Sequence, residues 1–384
     1  MSDLLAWRKE FPILEKTTYL ISNSLGAMPR GVEASLARYA ETWATRGVRA
    51  WEEGWWEMAR AVGDKIAPLL GADAGTVALY GNVTTTQAVI ASCFRFEGAR
   101  RKVLLTDKEF PSVIYFWEAQ RAQGAEVELL QTDDVDPLRV PLEKLLAAID
   151  ERTLLVPLSH VLFRTGYVQD VAAIVEKAHR VGAHVILDAY QSTGVLPVEV
   201  AKWNVDFCVG GAIKWLCGGP GVAYLYVRPD LRARLEPTFT GWFAHQRPFN
   251  FEIGPNAYRD DIYRFLGGTT PIACFYGAEP GIDIIRRVGV QRIRARSLEL
   301  TGYLLERARE RGWRVHTPEA EQERGGTVIL DVPRGPEVLR ELLHRDILVD
   351  YRPQAGLRVS PHFYNTEEEC DRLVAAIADI LAST

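Results

Sequence analysis

The sequence predicts an α/β protein. A large domain built on a mostly parallel sheet of about seven strands, covered by helices, precedes a small α+β C-terminal domain. Three observations predict it. From residue 76 to about 228, short apolar runs alternate with amphipathic helical patterns. The runs are continuously apolar rather than alternating, as strands covered on both faces are. In the last third a long helical pattern leads into short strands and helices in mixed order.

The elements follow in order. After an N-terminal arm come two helical stretches, "PRGVEASLARYAETWATRG" (29–47) and the tryptophan-rich "WWEMARAVGDKIAPLLG" (55–71). The apolar runs are "TVALY" (76–80), "KVLLT" (102–106), "EVELL" (126–130), "TLLVPL" (153–158), "HVILD" (184–188), "DFCVG" (206–210) and "VAYLYV" (222–227). Helical patterns such as "DVAAIVEKAHRVG" (170–182) separate several of them. Then come a long helix (289–312), a strand (326–332), a helix (336–346), two strands (347–352 and 356–361) and a final helix (366–382). We divide the chain into an arm and helix joining the small domain (1–50), a large domain (51–285) and the small C-terminal domain (286–384).

Composition narrows the function classes. With 47% hydrophobic and 25% charged residues there is no reason to expect disorder, and a net charge of −5 without a basic stripe gives no case for nucleic acid. The five cysteines form no CxxC pair, so reduced thiols are expected rather than disulfides or a zinc site. The N-terminus becomes charged too soon for a signal peptide, and no apolar run reaches membrane-spanning length. A cytoplasmic protein without membrane contact is expected.

In open α/β sheets, ligands sit beyond the carboxyl ends of the strands. Three strand ends and one lysine stand out there. Asp188 ends "HVILD", a position that alone reads as a turn or helix cap. Thr84, Thr85 and Thr86 open a helix after "TVALY", where exposed N–H groups and hydroxyls suit an anion, or simply cap. Ser159, His160, Arg164 and Thr165 bunch after "TLLVPL". Lys214, in "GGAIKWLCGGPG", lies between an apolar run and a glycine-rich turn, where an unpaired ammonium is costly. One ligand satisfies the set: an anionic group at the threonines, a positive centre for Asp188 and an electrophilic carbon for the Lys214 amine. Pyridoxal 5′-phosphate has all three, and a Schiff base would replace the buried ammonium.

At "DAYQSTG…GGAIKWLCGGPG", where Asp188 precedes Lys214 by 26 positions, the sequence resembles the class V aminotransferase group of fold-type I pyridoxal-phosphate enzymes. Within it the chain looks most like kynureninases, on "YLISNSLGAMP" (19–29), "KEFPS" (108–112), "LSHVLFRTGYVQD" (158–170), "GWFAHQRPFNFE" (241–252) and "GLRVSPHFYNTEEE" (356–369). The resemblance implies catalytic roles for Lys214, which carries the cofactor and moves protons, and for Asp188, which pairs with the pyridine N–H. It places Phe110 on the ring face, Thr84, Thr85 and Ser112 at the phosphate, Ser159 near the ring and Gln191 at the phenolic oxygen. Trp242 and Thr269 would reach in from the partner subunit of a homodimer. Arg358 would grip a substrate α-carboxylate, with Asn23, Ser24 and Trp242 also at the substrate. Trp55, Trp56, Trp242 and Phe243 are candidates to line an aryl pocket, helix packing being the plainer reading of Trp55 and Trp56.

Four positions depart from the kynureninase pattern. Gln191 stands where histidine is usual, Ile213 where tyrosine is, Val113 where aspartate is, and Thr269 where asparagine is. Gln191 is the habit of cysteine desulfurases. The leading expectation is hydrolytic Cβ–Cγ cleavage of kynurenine or a related β-acyl amino acid to alanine and an aryl acid. Transamination, which Gln191 fits, and β-elimination stay open; cysteine desulfuration ranks low, because neither Cys274 nor Cys370 lies in a glycine- or serine-rich loop. A non-catalytic binding protein is disfavoured by the presence of both Asp188 and Lys214.

Overall fold

Each of the seven apolar runs forms a strand. In the computed structural model, which describes residues 2–132 and 138–383, all seven lie in one sheet. They are β1 (Val77–Tyr80), β2 (Lys102–Thr106), β3 (Glu126–Leu130), β4 (Thr153–Ser159), β5 (His184–Asp188), β6 (Phe207–Gly211) and β7 (Ala223–Val227). The order across the sheet is β1-β7-β6-β5-β4-β2-β3. Pairs from β6 to β3 are parallel, and β7 runs against both β1 and β6. The reversal has a local cause. Parallel neighbours need a long crossover, whereas β6 and β7 are joined directly by the turn that contains Lys214. The large sheet is therefore mixed, with a parallel majority as the sequence leads one to expect.

Central strand residues such as Val103, Leu155, Ile186, Val209 and Leu225 are completely shielded from solvent. They belong to a core that also takes in the helices Trp56–Ile66 and Ile272–Val288. A second core, with Leu300, Leu304, Leu330, Leu357, Leu373 and Ile377, fills the C-terminal unit. Its sheet runs β10-β11-β9-β8, all antiparallel, where β8 is Arg314–Val315, β9 Val328–Asp331, β10 Asp350–Arg352 and β11 Gly356–Val359. Helices Val290–Glu310, Gly335–His344 and Glu367–Ala382 complete it. The last of these opens on a capping box in which Thr366 and Glu369 bond each other's backbone.

The N-terminal arm ties the two cores together. Thr18–Tyr19 pairs in parallel with Ile347–Leu348, Leu20 joins the small core, and Phe11 and Tyr19 join the large one. Helix Gly31–Arg46 packs against Ile272–Val288. Among the described residues no helix is long and apolar enough to cross a membrane.

Candidate active site

The carboxyl ends of β4 and β5, the turn after β6 and the starts of two helices enclose a cavity of about 290 Å³. Ser159 and Asp188 are side by side because they pair in register on adjacent parallel strands. Asp188 is buried, and its Oδ1 accepts the Tyr190 N–H at 2.9 Å. Burial pushes its carboxyl up to about 6, against the Tyr190 amide and Lys214, which favour the anion.

Lys214 lies three residues past β6 and opens into the same cavity. Its Nζ is 4.4 Å from the Tyr190 ring centroid and 5.9 Å from that of Phe110. The described residues offer it those two faces and no hydrogen bond or ion pair. Burial lowers the amine to about 8, with Asp188 opposing the shift and Arg358 adding to it. The turn is held by main-chain bonds from Gly26 N–H to Ile213 O (2.8 Å) and from Gly218 N–H to Ala212 O (2.8 Å). The approach at Gly26 is so close that a β-carbon there would stand 2.2 Å from Lys214 O.

Two helix N-termini meet at the other end. Helix Val83–Ala91 begins at Asn82, whose Oδ1 accepts the Thr85 N–H (2.9 Å) and hydroxyl (3.1 Å). Helix Pro111–Ala119 begins just after Phe110. Thr84 and Ser112 line the cavity there. Thr85 does not, its hydroxyl being turned into the cap. Unpaired N–H groups at two helix starts make this end suited to an anion.

The remaining expected residues divide. Phe110, Gln191 and Ser24 line the cavity, as do Val113 and Ile213, two of the departures noted above. Gln191 is fixed at both ends, donating to Asn23 O and accepting from Trp215 Nε1, each at 3.2 Å. Asn23 itself lies behind it, with a buried side-chain amide that finds no partner among the described residues. Arg358 is buried at the cavity's flank rather than in its lining, with its Nε 2.6 Å from Asp350 Oδ1, Nη2 on the other carboxylate oxygen and Nη1 3.0 Å from Phe163 O.

Within one chain the aryl-pocket candidates stand apart from this cavity. Trp55, Trp56, Trp242 and Phe243 line none of it, each packing instead on other aromatic rings. Trp55 stacks on Tyr39, and Trp56 lies edge-on to Trp242 and Phe243. Thr269 is exposed and also lies outside the cavity. The apolar side of the cavity is instead built from Val83, Val113, Phe116, Val161, Phe163 and Ile213.

Two site residues escaped sequence reasoning. Tyr190 sits two positions after Asp188 and could have been flagged by that spacing alone. Glu109 is completely buried beside Phe110. Its Oε2 accepts the Ser159 N–H (2.8 Å) and hydroxyl, and its Oε1 accepts the Thr106 hydroxyl (3.0 Å). Burial pushes its carboxyl up to about 7; the Ser159 and Thr106 bonds oppose this, and Asp188 adds to it.

Known proteins share this architecture. The family described as Aminotransferase class-V matches residues 18–373. An uncharacterized aminotransferase, YcbU, of Bacillus subtilis (strain 168) is 32% identical over 97% of this chain and 96% of its own. A kynureninase of Pseudomonas fluorescens is 31% identical over 97% and 91%. Among solved structures, a cysteine desulfurase from Thermococcus onnurineus NA1 superposes with a TM-score of 0.86 at 22% identity, covering 98% of each chain. At that identity the likeness speaks to the fold. The residues gathered at the strand ends, the mixed seven-stranded sheet and the match across nearly the whole sequence lead to one conclusion: this chain belongs to the class-V aminotransferase family, pyridoxal-phosphate enzymes of fold-type I that act on amino acids.

Proposed function

We propose that this protein is a pyridoxal 5′-phosphate-dependent hydrolase of β-acyl amino acids, of the kynureninase type, that splits the Cβ–Cγ bond with water to give alanine and an acid. The observation that carries the reading is the Lys214 amine, without a polar partner among the described residues, facing Tyr190 and Phe110 in a cavity that also holds Asp188. The residues present fit the cofactor. Lys214 would take its aldehyde, Asp188 its ring nitrogen, Gln191 its phenolic oxygen, and Thr84 and Ser112 its phosphate, with Phe110 against the ring. When bound, the cofactor supplies an acceptor for the electrons released at the substrate's Cα.

The chain's own residues do the rest. Lowered to about 8, the Lys214 amine is more often neutral near physiological pH than an ordinary lysine, so it can accept a proton from Cα and return one. Asp188 holds negative charge where the ring nitrogen needs a partner. Arg358, locked in place by Asp350, presents its guanidinium to the substrate carboxylate. The apolar side of the cavity suits the side chain of an acyl substrate, kynurenine among them, and Phe163 there packs edge-on to Phe110. Trp242 and Thr269 would complete the site from a second subunit of a homodimer in the cytoplasm. The kynureninase relative supports the reading.

Transamination is the second reading. Gln191 in place of histidine favours it, as does the aminotransferase relative. Cysteine-dependent desulfuration has less support, because among the described residues no cysteine lines the cavity. A panel of amino acids, each scored for alanine, keto acid and ammonia, tests these directly. Kynurenine or 3-hydroxykynurenine should give alanine without an added keto acid. Turnover that depends on such an acceptor would favour the aminotransferase instead.

A further inference from the structure

Tyr190 is a cavity residue to which neither the resemblance nor the relatives assign a role. Its main-chain N–H fixes Asp188, and its ring comes nearer the Lys214 amine than any other aromatic described, 4.4 Å against 5.9 Å for Phe110. Its hydroxyl points elsewhere. A β-carbon on Gly211 would stand 2.6 Å from the Tyr190 hydroxyl oxygen, 2.7 Å from Cζ and 2.9 Å from Cε2. The ring therefore rests on the end of β6 in a seat that only glycine leaves open. The Lys214 amine lies over both rings, which make no contact with each other among the described residues. A ring joined to that nitrogen lies within reach of both.

We propose that Tyr190 is a second aromatic wall of the cofactor slot, holding the pyridine ring through its π-face and not through its hydroxyl, with Gly211 as the seat that sets its position. This rests on the pyridoxal-phosphate reading above. The phenol stays neutral at working pH, since burial and then Asp188 push it up to about 12, so the wall adds no charge beside Asp188. An aromatic face adds attraction to a stacked ring beyond the area it covers.

The test measures pyridoxal 5′-phosphate itself, by equilibrium dialysis and by the near-visible absorption band, on variants whose folding is checked by circular dichroism. Tyr190→Phe should bind within about twofold of the wild type. Tyr190→Ala should bind about tenfold more weakly and shift the band, as expected for the loss of a stacking contact. Gly211→Ala should weaken binding by displacing the ring, yet add nothing in the Tyr190→Ala background, where the ring its methyl would strike is gone. Unchanged binding in Tyr190→Ala overturns the proposal, as does a Phe variant as weak as the Ala variant. A Gly211→Ala effect that adds in full to the Tyr190→Ala effect removes the seat. These failures leave the cofactor reading standing, whereas a wild type that takes up no pyridoxal phosphate brings down both.

Discussion

Asp350 and Arg358 face each other across antiparallel strands β10 and β11, the carboxylate accepting from Nε and Nη2 in a forked pair. Nη1 goes to Phe163 O, so the described contacts leave one N–H on each terminal nitrogen unspent. Asp350 therefore fixes the guanidinium plane and leaves it able to take a second carboxylate. Arg358→Ala should raise KM for an amino acid substrate by the equivalent of about 2–4 kcal/mol, the cost of a lost charge-assisted pair. Asp350→Asn should raise it less, by freeing the plane. A KM unchanged in Arg358→Ala would put the substrate carboxylate elsewhere.

The rate at which cofactor-free protein captures pyridoxal phosphate should follow the neutral fraction of Lys214. Burial disfavours the ammonium, so the amine loses its proton near pH 8 instead of 10.5. Stopped-flow absorbance should show the rate rising with pH to a plateau, with a midpoint near 8. A midpoint above 10 would mean that the amine is solvated.

Gly26→Ala should destabilise the fold. The new methyl would meet backbone on two sides, 2.2 Å from Lys214 O and 2.8 Å from Cys217 Cα, and neither can move without opening the turn. Overpacking of that kind costs roughly 1–3 kcal/mol. Urea unfolding measures it, and an unchanged midpoint would show that the arm does not press on the turn.

Glu109 is the group to follow with pH. Its folded value of about 7 lies above the ordinary 4.5, so it favours the folded state below pH 4.5, and that contribution is lost as pH rises through 7. Glu109→Gln is neutral throughout and should gain on the wild type by up to about 3 kcal/mol across that window. Unfolding curves at pH 4.5 and 7.5 give the comparison. An equal gap at both would mean that the acid does not titrate there.

Much of the large domain could be read before its structure, because buried strands leave continuous apolar runs. "HVILD" coincides with β5, and "DFCVG" misses β6 by one residue at each end. Strand direction was harder. Nothing in "VAYLYV" says that β7 runs antiparallel; that follows from the short Lys214 turn. The run 347–352 reads as one strand, yet Ile347–Leu348 bonds the N-terminal arm while Asp350–Arg352 bonds β11. Apolar pattern gives burial but not the partner. The long helix Ile272–Val288 went unread, with Pro280 inside it.

At the site, the residues identified by chemistry alone, Lys214 and Asp188, line one cavity. Those that depend on rotamer or distant packing did not show. Thr85 turns into its own helix cap, Arg358 arrives already paired, and Glu109 looks like a surface acid until β4 closes over it.

The central claim, that Lys214 carries a pyridoxal phosphate paired with Asp188, is tested most directly by borohydride reduction of the purified protein followed by peptide mapping. The account predicts a yellow protein that is bleached by the reductant and then carries a pyridoxyl group on the peptide containing Lys214. A colourless protein that takes up no pyridoxal phosphate, or a label on any other lysine, would contradict it.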